Sequence, residues 1–137
     1  MRPFEELHTE KIKIGERLER LNAQSGGIFS TTAISPQEAR LLAESPYSAR
    51  YREYKLKLLA VWEELLTDHR ERFSFEEYME KCFLIAADYC FLDEWDKMEQ
   101  WAGRIDWTRW NVRTSTNLDI IEVYRELRQA IQEYREN

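Results

Sequence analysis

The chain has 137 residues, 43% of them hydrophobic, 34% charged and 13% aromatic, and carries a net charge of −6. That length suits one domain, and four Gly with three Pro argue against a turn-rich β-sandwich and against a disordered chain. Mean hydropathy is −0.69 and no apolar run approaches the ~18 residues of a membrane span. The opening residues Met1-Arg2-Pro3-Phe4-Glu5-Glu6 offer no apolar signal-peptide core, and two cysteines are too few for a disulfide framework, so the expected setting is the cytoplasm.

Apolar residues recur at helical spacing almost throughout and at strand spacing almost nowhere. This predicts an all-α single domain over 1–137, an antiparallel bundle of five to six helices, with 25–34 as a flexible loop. A first helix over about 3–24 places Phe4, Leu7, Ile14, Leu18 and Leu21 on one seam interrupted by Lys11, and leaves Ile12 outside it. Ser25-Gly26-Gly27 stops that helix, and the following loop carries the apolar residues Ile28, Phe29 and Ile34. Ser35-Pro36-Gln37-Glu38 opens a short second helix with an N-cap, a proline at N1 and a capping-box Glu.

After Ser45-Pro46 the third helix, about 46–68, alternates Tyr47, Tyr51, Tyr54, Leu58, Val61 and Leu65 by four and three. Leu59, Trp62 and Leu66 widen its stripe, so it should have neighbours on more than one side and lie at the centre of the fold. Ser74-Phe75-Glu76-Glu77 is a second capping box opening a helix to about 92, with Phe75, Tyr78, Met79, Cys82, Ile85, Ala86 and Tyr89 on its buried side. Asp93-Glu94 marks a tight turn before a fifth helix with Trp95, Met98, Ala102 and Ile105 on one stripe and Gly103 near its end. Thr116-Asn117-Leu118-Asp119 caps the last helix, which carries Ile120, Tyr124, Leu127, Ile131 and Tyr134.

The charge is concentrated. Residues 74–101 hold Glu76, Glu77, Glu80, Asp88, Asp93, Glu94, Asp96 and Glu99 against Lys81 and Lys97, which accounts for the whole imbalance. Such a chain is a poor default binder of phosphate backbones. An acidic face bearing Glu76, Glu77, Glu80 and Asp96 could meet a basic partner, or be simply the solvated side of a helix.

The run Ile85-Ala86-Ala87-Asp88-Tyr89, with Leu92-Asp93-Glu94-Trp95 and Met98, Trp101 and Ala102, resembles one tetratricopeptide helical hairpin near 75–103. Tyr89 and Trp95 stand where that family has aromatics. Asp93 stands at its turn glycine and Met98 at its small residue. The resemblance occurs once, whereas an array needs about three repeats; it implies an antiparallel helix pair with a tight turn.

Catalytic constellations are scarce. Glu5 and His8 are spaced as half of a di-metal carboxylate site, but the other half would need Glu three residues before His69, where Leu66 stands. Cys82 and Cys90 lie eight residues apart on one helix, roughly 12 Å, too far for a disulfide, and lack zinc-ligand spacing. Asp88, beside the apolar stripe, is the one acid placed for a shifted pKa, but acids so placed are commonly just paired to an arginine, and that is the favoured account. Ser25-Gly26-Gly27 lacks the Lys-Ser/Thr of a phosphate loop. No cofactor and no metal are expected.

Two stretches interleave cations with aromatics: Tyr47–Lys57, and Arg104–Arg113 with Trp107, Arg109, Trp110 and Arg113. The pattern suits protein hot spots and single-stranded nucleic acid, while burial of the rings with snorkelling cations accounts for it without any partner. The favoured reading is a non-catalytic helical protein-interaction module, an adaptor, accessory subunit or inhibitor, contacting its partner through Trp107, Arg109, Trp110, Arg113, Ile12 and Phe29. On that reading Trp110→Ala with Arg113→Ala should spare the fold. The alternatives are a helical nucleic-acid-associated subunit and an acidic nucleic-acid mimic that blocks a basic cleft; an enzyme centred on Asp88 ranks behind both. A homo-oligomer is compatible with the polar Lys11 in the first seam.

Overall fold

The computed structural model describes residues 1–27, 44–110, 127–129, 131–133 and 136, with the backbone alone for Phe91. The regular structure among these residues is all helical, with no strand. The elements are α1 (Phe4–Gln24), α2 (Ser48–Asp68), a 3-10 turn (Arg70–Arg72), α3 (Phe75–Phe91) and α4 (Trp95–Ala102), followed by helical turns at 127–129 and 131–133. The short helix expected after Ser35, the start expected at Thr116 and most of the expected flexible loop lie outside the described residues. Contacts gather into two compact units, one around α1 and α2, the other around α3, α4 and the C-terminal turns.

In the first unit α1 and α2 form an antiparallel pair. Leu7 and Ile14, seven residues apart and so on one helical face, are buried with Val61 and Leu65, and Phe4, Leu18, Tyr54, Leu58, Trp62 and Phe73 pack around them. Each fully buried aliphatic side chain contributes about 1.5–3 kcal/mol. Lys11, the polar residue interrupting the seam, sets its Nζ 4.5 Å from the centre of the Trp62 ring, so its place is a cation–π contact at the seam's margin. Leu59 and Leu66 are buried too, which covers α2 on more than one side as its pattern predicts. Helix α1 ends in a Schellman motif: the Gly27 N–H donates to Asn22 O at 2.8 Å and the Gly26 N–H to Ala23 O at 3.2 Å. Gly26 has φ +78, a backbone that a side chain would strain.

Charged and aromatic groups close the far end of this pair. The Arg2 guanidinium takes both Glu64 oxygens, at 3.0 and 3.1 Å, and also Glu10. His69 Nε2 lies 2.8 Å from Arg2 O, where its N–H donates. The Phe4 ring stacks on His8, meets His69 edge-on and carries Arg72 over its face. Hydrogen bonds to Glu64 and then Glu10 raise the already high pKa of Arg2.

In the second unit α3 is the most thoroughly covered helix. Met79, Cys82, Phe83, Ile85, Ala86, Ala87, Tyr89 and Cys90 are all buried, too wide an arc for a single neighbour. The stripe read from sequence omits Phe83, which is fully enclosed, while its Phe75 and Tyr78 are only half-buried. Small side chains at Cys82, Ala86, Ala87 and Cys90 permit close helix approach. From α4, Met98, Trp101 and Ala102 are buried, followed by Ile105.

The α3–α4 connection is the tight turn that the tetratricopeptide likeness implies. Asp93 has φ 60; its N–H donates to Cys90 O at 3.2 Å and the Glu94 N–H to Tyr89 O at 2.9 Å. This is again a Schellman motif, with an aspartate in the left-handed position that glycine usually takes.

Candidate interaction surface

The candidate surface begins where α4 stops. The Gly103 N–H donates to Glu99 O at 2.9 Å, and a Cβ at Gly103 would meet that same oxygen at 3.3 Å. Ile105 then turns into the core, and the Asp106 N–H lies 3.2 Å from Met79 Sδ. Asp106 organises the next turn: one carboxylate oxygen accepts from the Thr108 hydroxyl at 2.7 Å and from the Thr108 and Arg109 N–H groups, each at 3.2 Å. Its backbone oxygen accepts from the Arg109 and Trp110 N–H groups. The Thr108 hydroxyl hydrogen bond, more than the N–H groups and the Arg109 charge, holds the Asp106 carboxyl below its usual range against partial desolvation.

This turn sorts the residues that the sequence grouped. Trp110 is 7% exposed and packs on Phe83, ring centres 5.5 Å apart. Its assignment to a free partner surface is therefore corrected: the ring is core, because the Asp106 turn folds it back over α3. Truncating a buried Trp costs about 3–5 kcal/mol, so Trp110→Ala with Arg113→Ala is now expected to destabilise the fold, the reverse of the outcome expected for a surface ring. Trp107, three residues earlier, is half-buried, 6.4 Å from the Trp110 ring. Arg109 is exposed, its guanidinium 4.5 Å over the Phe75 ring. Arg113 and Phe29 lie outside the described residues. Ile12 is 47% exposed on α1, in the other unit. Of the acidic candidates, Glu76, Glu77 and Asp96 are exposed and Glu80 is half-buried.

Two further cations belong with this group. Arg104 lies 3.9 Å over Trp101, and Arg128 lies 5.0 Å over Trp107. Arg128 was not singled out from sequence; its only signal was its place one turn before the apolar Ile131 on a predicted helix. Together with Trp107 it lines an open cleft of about 630 Å³. Ala102 and Ile131 supply apolar wall, and Gln129, Gln132 and Glu136 supply polar rim. The two amides are tied down, Gln129 to Glu133 at 3.1 Å and Gln132 to Glu136 at 3.2 Å.

Among the described residues no group of His, Cys, Asp or Glu is placed to hold a metal ion. Neither cysteine is in a disulfide, and both are buried. Burial, then the nearby charges of Asp93 and Glu133, pushes the Cys90 thiol up to about 11, so it stays protonated at neutral pH. Asp88 is half-buried. No described helix is long and apolar enough to cross a membrane. Comparison of the chain with protein-family models, curated protein sequences and solved structures finds no match. The tetratricopeptide likeness thus stays a likeness of one helical hairpin.

Proposed function

We propose that this chain is a non-catalytic helical protein-interaction module, an adaptor, accessory subunit or inhibitor of a larger protein. The observation that carries the reading is the set of three guanidiniums in the second unit, Arg104, Arg109 and Arg128, each laid on an aromatic ring, with Trp107 half-open beside a cleft. Arginine and tryptophan dominate the energetics of protein interfaces because they bring large area and fixed donors at little entropic cost. Stacking removes rotamer freedom before a partner arrives, which lowers the cost of binding. The setting that suits two unbridged, buried thiols is a reducing one, such as the cytoplasm.

The exposed carboxylates Glu76 and Glu77, next in sequence to the Phe75 that seats Arg109, weigh against a phosphate backbone as the ligand. The test is affinity capture from the native host, comparing the parent chain with Arg109→Ala/Arg128→Ala, two exposed positions whose change leaves the core intact. The double variant should lose the captured protein while retaining its helical circular dichroism and denaturation midpoint. Equal capture by both chains, or nucleic acid as the captured species, would overturn the reading.

A further inference from the structure

We draw no further inference here: the strongest candidate, the open cleft beside Trp107 with Ala102 and Ile131 in its wall, belongs to the interaction surface already described, and nothing in the structure shows what covers it.

Discussion

The α1–α2 pair centres on one seam, Leu7 and Ile14 against Val61 and Leu65, with ion pairs and ring contacts at its margins and Leu59 and Leu66 of α2 buried outside it. The α3–α4 pair is built around a helix buried over a wide arc, with Phe83 and Trp101 almost fully enclosed and a three-residue turn between the helices. The contrast shows two ways of stabilising a helical hairpin. A helix buried along one stripe, as α1 is, leaves the rest of its surface to charges and tolerates change there. A multiply covered helix concentrates stability in few positions and has little slack, because close-packed interiors relax only partly when atoms are removed.

The sharpest way to break that contrast is truncation in each core. Phe83→Ala or Trp101→Ala should cost about 3–5 kcal/mol in urea denaturation, whereas Leu65→Ala in the one-seam pair should cost about 2–4 kcal/mol. A larger loss at Leu65 than at Phe83 would invert the comparison. The turn gives a smaller effect of opposite sign. Asp93→Gly relieves a left-handed aspartate and should stabilise by about 0.5–1 kcal/mol, and Asp93→Val should destabilise; a loss of stability with glycine would mean that the Asp93 side chain supports the turn. Smaller still, Lys11→Ala should cost at most about 1 kcal/mol, the scale of a partly exposed cation–π contact. Its double-mutant cycle with Trp62→Leu isolates that contribution.

The last comparison is made with pH. Because the folded-state pKa of Cys90 is raised from 9.0 to about 11, folding favours the protonated thiol. Its contribution is complete below about 9 and is lost as pH rises through 11. Cys90→Ala should therefore flatten the alkaline fall in stability. An identical alkaline profile in that variant would place the titrating group elsewhere.

Much of this fold was legible in the sequence, for local reasons. The ends of α1 at Ser25-Gly26, of α3 at Ser74-Phe75 and at Asp93, and the seam through Leu7, Ile14 and Leu21, follow from spacing and cap chemistry that a short window contains. The candidate surface was legible only in part. The stretch from Arg104 to Trp110 stood out by composition, but nothing local separates Trp107, half-open, from Trp110, enclosed against Phe83. Arg128 was silent because the ring it covers lies 21 positions away in the chain.

By itself, then, the sequence determined that the regular structure of the described residues is helical, where α1 ends and where α3 begins and ends, and that its negative charge gathers between 74 and 101, since hydrogen-bonding periodicity and composition are properties of neighbouring residues. Which rings are core and which arginines lie flat on them was decided only by tertiary structure. Burial and stacking are set by residues far apart in sequence, and one turn organised by the Asp106 carboxylate is enough to send one tryptophan inward and leave its neighbour half-open.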